Sequence, residues 1–182
     1  GFKWFFRTSP HDRHFSVVMF DFLKDLEQRK KVKFKTVAIL NENTAFGSDS
    51  AKVQEEFAKK YGYEVVARLP FKTGSPSLDA EIGRLKGANP DVLLPSIYTS
   101  DAMLFTRAAK NLDYNPKMIL AQDAGYTDPK FVAEMGKEAE LEEVGCLGRG
   151  ESEGELHTLI GVAEAEAEEF LFQVMAKLVH LI

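Results

Sequence analysis

The side chains that could bind a small molecule are concentrated in three short segments, residues 41–47, 98–101 and 121–126. Asp123 stands between small residues, so its carboxylate could meet a ligand ammonium group with partial exclusion of water. Phe46 and Tyr98 could wall an apolar ligand side chain, and the tyrosine hydroxyl adds a polar group. Thr99, together with backbone N–H groups at the start of a helix, could bind a ligand carboxylate or another polar group. With Ala124 beside the acid, these residues form the predicted ligand-binding set.

The same residues also have a purely structural interpretation. Asp123 could cap a turn, and Phe46 and Tyr98 could pack against the edge of a sheet. On spacing alone the two interpretations carry equal weight.

Other chemistries have weak support in the sequence. His11 and His14 could offer imidazoles to a metal, but no further ligand cluster lies nearby, and residues of a solvated loop or helix start are the better interpretation. Cys146 is the only cysteine, and it is predicted to be a small buried apolar residue rather than a nucleophile. Neither a phosphate-binding loop nor a serine nucleophile elbow occurs. We predict a protein that is not an enzyme and that uses no metal and no cofactor.

The three segments need a scaffold that brings them together. Short apolar stretches predict five strands, at residues 4–6, 37–40, 64–69, 92–97 and 118–120. Helical spacing of apolar residues follows each stretch, so the chain reads βαβαβαβαβα. This alternation predicts an α/β fold, a doubly wound, mainly parallel sheet of about five strands with helices on both faces. In such sheets ligands bind at the carboxyl ends of the strands, where all three segments fall.

Composition divides the chain into two parts. The 182 residues have a net charge of −5, but the stretch from Glu138 onward holds eleven acids against Arg149 and Lys177, a balance of −9 that leaves the first 137 residues at +4. Apolar residues at helical spacing over 155–182 predict a C-terminal amphipathic helix. The lysines at 30–35 are predicted to be a solvated helix end, so no nucleic-acid partner is expected.

Several ordered segments resemble a known family. They are FRTSP at 6–10, VAIL at 37–40, NTAFG at 43–47, ANPDV at 88–92 and RAAKNL at 107–112. Together they are similar to type I periplasmic binding proteins, and most closely to the Leu/Ile/Val-binding branch, the substrate-binding proteins of branched-chain amino acid ABC transporters. The resemblance covers about residues 4–138 and corresponds to the second lobe of that two-lobed fold.

The resemblance implies roles for residues of this chain. Phe46 matches an aromatic that lines the cleft, Tyr98 lies in the loop that contributes another, and Asp123 falls where an acid receives the ammonium group of an amino acid. It also implies a solute such as a branched-chain amino acid, a first lobe, a membrane permease as partner, and a periplasmic or extracytoplasmic location. No signal-peptide pattern is visible at the start of this chain.

The resemblance ends after Glu140, where the charge also changes. We therefore predict a Rossmann-like lobe over residues 1–140. Residues 141–182 would form an acidic linker and a helix that packs on the lobe or on a partner chain, with a homodimer as one outcome. The predicted function is a non-catalytic solute-binding lobe, weak or inactive when isolated. The alternative is an engineered or truncated α/β scaffold domain with no ligand, in which the terminal helix serves folding or dimerisation.

Overall fold

The computed structural model describes Trp4 and residues 10–115, 117–122, 125–126 and 128–136. The helices and strands follow in the order α1 (Asp12–Lys30), β1 (Thr36–Glu42), α2 (Ala45–Tyr61), β2 (Glu64–Phe71), α3 (Asp79–Ala88), β3 (Val92–Ser96), α4 (Thr99–Asn111) and α5 (Pro129–Met135). Among these residues no helix combines the length and the apolar character that a membrane crossing requires. The predicted tail helix and Cys146 lie outside the described residues.

The sheet is parallel, with β1 in the centre and the order β2-β1-β3. Alternate residues of β1 enter two different cores. Ala38 and Leu40 pack with residues of α3, α4 and α5, whereas Val37 and Ile39 pack with residues of α1 and α2. All four of these side chains are fully buried. An apolar run without alternation is typical of a strand covered on both faces, so the predicted doubly wound α/β class is confirmed.

The fifth predicted strand, at residues 118–120, forms a single parallel bridge instead of a ladder. Leu93 donates its N–H to the carbonyl of Met118 at 2.8 Å and accepts from the N–H of Leu120 at 2.9 Å. The next rung would need an N–H at Pro95, which proline lacks. Proline therefore reduces this predicted strand to a bridge beside the three-stranded sheet of the described residues. Pro95 itself is buried and lies within β3, one residue before its end.

Two other boundaries differ from the sequence prediction. Trp4 lies in a turn and is 84% exposed, while the rest of the predicted strand at 4–6 lies outside the described residues. Strand β1 continues two residues beyond its predicted end at residue 40, through Asn41 and Glu42. Both side chains are buried, and the Glu42 carboxylate accepts the Gly47 N–H in the first turn of α2.

Asp91 stabilises the edge of the sheet at which the parallel strands begin. Its carboxylate accepts the backbone N–H groups of Lys35 at 2.8 Å and Thr36 at 3.1 Å, and Lys117 Nζ lies 2.9 Å away. Partial burial opposes ionisation of this carboxyl, but the bonds from Lys35, Lys117 and Thr36 outweigh burial and lower its pKa from 3.8 to about 2. One side chain thus joins the starts of β1 and β3.

This lowered pKa predicts a pH dependence of stability. Because the folded pKa lies below the unfolded value, the contribution of Asp91 is complete above about pH 4 and is lost as the pH falls through 2. We expect Asp91→Asn to lower the free energy of unfolding at pH 7 by about 1–2 kcal/mol, the lysine pair being partly screened by water. In urea titrations, the difference in unfolding free energy between the parent protein and Asp91→Asn should be smaller at pH 2.5 than at pH 7. An equal difference at the two pH values would contradict the stabilising role of the Asp91 carboxylate.

Candidate functional site

The candidate site lies at the carboxyl edge of the sheet, where β1, β3 and the segment through Gln122 all end. Because these segments are parallel, their ends and the helices that follow them share one edge. The backbone at Gly125 packs closely against this edge. A Cβ on Gly125 would lie 2.5 Å from the carbonyl oxygen of Ile97, so only glycine permits this approach.

Two of the predicted ligand residues are in contact. The rings of Phe46 and Tyr98 have centroids 5.4 Å apart and planes inclined by 39°. Phe46 belongs to the first turn of α2 and is partly buried, while Tyr98 precedes α4 and is 41% exposed. A half-exposed aromatic pair at a strand end can wall an apolar ligand. The contact equally fits aromatics that pack the sheet edge, so the ligand role stays a prediction.

Thr99 lies in the first turn of α4 and is partly buried. Its hydroxyl donates to Asp128 Oδ2 at 3.0 Å, while Asp128 Oδ1 accepts the N–H of Lys130 and caps α5. Since the single hydroxyl proton is directed to Asp128, the remaining capacity of Thr99 Oγ1 is as an acceptor. The Thr99 hydroxyl can therefore accept from a ligand donor, which is one of the polar groups that the sequence prediction includes besides a carboxylate.

Asp123 and Ala124 lie outside the described residues, but both neighbours of this pair are described. Gln122 is 2% exposed, and its backbone N–H donates to the carbonyl of Pro95 at 3.3 Å. Gly125 adjoins Ile97, as described above. Both described neighbours therefore lie at the end of β3.

A buried polar network surrounds Gln122. Its Nε2 donates to Asp12 Oδ1 at 2.8 Å and to Ser50 Oγ at 3.1 Å, and its Oε1 accepts from Gln54 Nε2 at 3.1 Å. Ser50 Oγ also donates to Asp12 at 2.6 Å, and Gln54 reaches Ser96 at 3.0 Å. Sequence reasoning missed this network. The available signal was Ser50 and Gln54, two polar residues four apart on the buried face of α2.

A second missed feature is the carboxylate of Glu42, which is fully buried at the end of β1. Its Oε1 accepts the Thr44 hydroxyl and the Gly47 N–H, each at 2.7 Å, and its Oε2 accepts the Thr44 N–H. The first turn of α2 is thus capped from the preceding strand. An anionic acceptor at a helix N-terminus is favourable, and here it orients the turn that carries Phe46.

A third missed feature is Asp101, which is 1% exposed in the first turn of α4. It accepts from Thr73 Oγ1 at 2.8 Å and from the N–H of Gly74 at 3.1 Å. Thr73 also donates its backbone N–H to Asn43 at 3.3 Å. The loops after β1, β2 and β3 are therefore joined to one another at the candidate site.

The histidine pair has a structural role. His11 caps α1, its Nδ1 accepting the N–H of Arg13 at 3.1 Å, and its ring stacks on His14 with centroids 4.1 Å apart. Within the described part of the chain, no three His, Cys, Asp or Glu side chains are grouped as metal ligands would be. The interpretation of these histidines as helix-start residues is consistent with this geometry.

A family model described as periplasmic binding protein matches residues 1–144. The chain belongs to this family. The family resemblance predicted from the sequence is thereby confirmed.

Curated Leu/Ile/Val-binding protein homologues are similar to this chain over 130 residues. Leu/Ile/Val-binding protein homolog 7 of Brucella suis is 28% identical over 130 residues, which are 70% of this chain and 33% of the relative. Homolog 8 of Brucella abortus is 26% identical over 130 residues, 70% of this chain and 32% of the relative. The chain thus spans about a third of the length of these relatives.

Solved ligand-binding proteins share the fold. A leucine-, isoleucine-, valine-, threonine- and alanine-binding protein of Brucella ovis, in a closed conformation, has a TM-score of 0.62 and 21% identity over 74% of this chain and 33% of its own. An extracellular ligand-binding receptor of Rhodopseudomonas palustris has a TM-score of 0.64 and 20% identity, and the match covers 76% of this chain and 36% of the receptor. At these identities the likeness concerns the fold alone.

Proposed function

We propose that this chain is a non-catalytic solute-binding lobe of the amino-acid type, from a substrate-binding protein of an ABC transporter. The observation that carries the proposal is the contact between Phe46 and Tyr98 at the carboxyl edge of the sheet, the edge at which the segment through Gln122 also ends. The chain in which this contact occurs belongs to the periplasmic binding protein family. The aromatics would wall the apolar side chain of the solute. Asp123, assisted by the acceptor oxygen of Thr99, would receive its ammonium group, with Ala124 alongside.

Membership of the family supports the proposed partners and the proposed location. Residues 1–140 would form the lobe, a first lobe would complete the cleft, and a membrane permease would receive the closed protein in an extracytoplasmic compartment. Branched-chain amino acids are the proposed solutes because the Brucella relatives are named for leucine, isoleucine and valine. Since one lobe supplies only part of the contacts, the isolated chain would bind its solute with a dissociation constant in the millimolar range, about −4 kcal/mol.

The test is a titration followed by amide NMR, which detects weak binding. We expect leucine and valine to shift the amide resonances of residues 46, 98 and 99, and isoamylamine, which lacks the carboxylate, to shift them also. Isocaproate, which lacks the ammonium group, should not. Asp123→Asn should weaken binding about tenfold or more, because it removes the charge that meets the ammonium group.

The matched control for this titration is Asp113→Asn, in which an exposed carboxylate at the end of α4 is neutralised at a left-handed position that asparagine tolerates. It should leave the affinity unchanged. The absence of any resonance shift with all four compounds, or equal affinity in the Asp123 and Asp113 variants, would refute the proposal. The absence of any shift would favour the alternative of a scaffold domain without a ligand.

A further inference from the structure

The turn after β2, at residues 72–75, binds the buried carboxylate of α4 with two donors. The turn is closed by a bond of 3.1 Å from the Ser75 N–H to the Lys72 carbonyl. Its Thr73 hydroxyl donates to Asp101 Oδ2 at 2.8 Å, and its Gly74 N–H donates to Asp101 Oδ1 at 3.1 Å. Both oxygens of the carboxylate are therefore held by one short turn, and bonds to a charged acceptor are stronger than bonds to a neutral one.

Thr73 connects the two segments that carry the aromatic pair. Its hydroxyl is bonded to Asp101, which lies three residues after Tyr98. Its backbone N–H donates at 3.3 Å to the side chain of Asn43, which lies three residues before Phe46. A single residue outside both segments is thus bonded to each of them.

The position of Tyr98 depends on how the first turn of α4 is attached. Tyr98 occupies the N-cap position, but its side chain makes no capping bond, and its carbonyl accepts the Ala102 N–H at 2.8 Å. Asp101 attaches this turn to Thr73, and Thr99 attaches it to Asp128 before α5. Because Asp101 is 1% exposed, water cannot easily replace a lost partner there. Loss of the Thr73 hydroxyl would therefore leave the turn freer to move from the end of β1 toward α5.

We propose that Thr73 is a positioning residue that sets the spacing of the Phe46 and Tyr98 rings, and thereby the size of the apolar solute side chain that the pair accepts. This inference rests on the proposed function for its link to the solute. The ring centroids are 5.4 Å apart, so the pair is already in contact. Without the bond to Asp101 the rings separate, and the wider gap favours a larger side chain.

Ser75 offers a matched control within the same turn. Its hydroxyl donates to the Lys72 carbonyl at 2.6 Å, so its single proton is not directed to Asp101. Ser75→Ala removes a hydroxyl from the turn but keeps both donors to Asp101 and the backbone bond that closes the turn. It should leave the aromatic pair unchanged.

The test uses NMR on the full chain with two readouts. The first is the Overhauser contacts between the ring protons of Phe46 and Tyr98 without any solute, and the second is the ratio of the dissociation constants for leucine and phenylalanine. We expect Thr73→Val, which keeps the branched shape and the backbone N–H, to weaken the ring contacts and to shift the ratio about threefold or more toward phenylalanine. Thr73→Ser, which keeps the hydroxyl, should match the parent in both readouts. The ratio separates selectivity from stability, because a loss of binding-competent protein changes both dissociation constants by the same factor.

The outcomes distinguish this inference from the proposed function. If leucine binds and the ratio in Thr73→Val equals that of the parent, the role in selectivity is overturned and the proposed function stands. If neither solute binds, the proposed function fails, and the ring contacts still decide whether Thr73 sets the spacing. Should Thr73→Val not fold, Asn43→Ala removes the acceptor of the Thr73 N–H at an exposed position and should weaken the same ring contacts. Unchanged ring contacts in that variant, or in a folded Thr73→Val, would overturn the inference.

Discussion

Replacing Gly47 with alanine is expected to destabilise the protein by about 3 kcal/mol, because the new Cβ has no room. Built on the existing backbone, it would lie 2.4 Å from the carbonyl oxygen of Glu42 and 2.7 Å from Glu42 Oε1. The first obstacle is backbone and cannot rotate away, so the junction of β1 and α2 must move. That movement would also lengthen the 2.7 Å bond from the Gly47 N–H to the buried carboxylate.

Gly83→Ala is the matched control for this variant. Gly83 lies inside α3, and a Cβ there meets nothing within 4 Å. Alanine at that position should stabilise the protein by about 0.5–1 kcal/mol, since the helix gains propensity without a clash. Urea unfolding followed by circular dichroism measures both changes. The same sign for the two variants would show that the close approach at Gly47 is not what determines its requirement for glycine.

Replacing Asp101 with alanine is expected to lower the free energy of unfolding by about 3 kcal/mol. The change removes a buried carboxylate that accepts from the Thr73 hydroxyl and the Gly74 N–H, and it leaves both donors without that acceptor. Because these bonds join the loop after β2 to α4, we also expect faster hydrogen exchange at the Gly74 amide. Chemical denaturation and amide exchange measure the two effects.

Asp79→Ala separates this network from the general benefit of an acid at a helix start. Asp79 also lies in the first turn of a helix, α3, but it is exposed. Its loss should cost about 0.5 kcal/mol through the helix dipole alone. Thr73→Val removes only one of the two bonds to Asp101 and should fall between the two aspartate variants. Equal costs for Asp101→Ala and Asp79→Ala would contradict the assigned network.

Helix α2 shows where local sequence patterns reach their limit. The apolar spacing of Val53, Phe57 and Tyr61 predicts a helix that ends at Gly62, and the structure ends α2 at Tyr61 with Gly62 in the left-handed conformation. The polar residues 41–49 predict a loop before this helix, whereas α2 already begins at Ala45, with no cap from the side chain of Thr44. The cap comes instead from Glu42 in the preceding strand, an arrangement that standard capping patterns do not include.

At the candidate site, too, the sequence predicts some contacts and leaves others to the tertiary structure. Parallel topology was sufficient to predict that the segments holding Phe46 and Tyr98 would meet, because strand ends of one sheet share an edge. It could not indicate that Thr99 directs its proton to Asp128, or that Gln122 is held by Asp12. Those partners are 29 and 110 residues apart in sequence, and their meeting depends on how the helices pack.

By itself the sequence determined the α/β class and the alternation of strands and helices, and it predicted the edge of the sheet at which the candidate ligand residues lie. These properties follow from hydrophobic periodicity and turn residues, which act over a few neighbouring positions. The family resemblance rests instead on five matching segments of the chain. Only the tertiary structure decided that Pro95 reduces a predicted strand to a bridge, that Glu42 and Asp101 are buried acceptors, and that one polar network joins α1 to the candidate site. The reason is physical: a hydrogen bond between distant residues leaves no periodic trace along the chain, and its partners are defined only when the elements have packed.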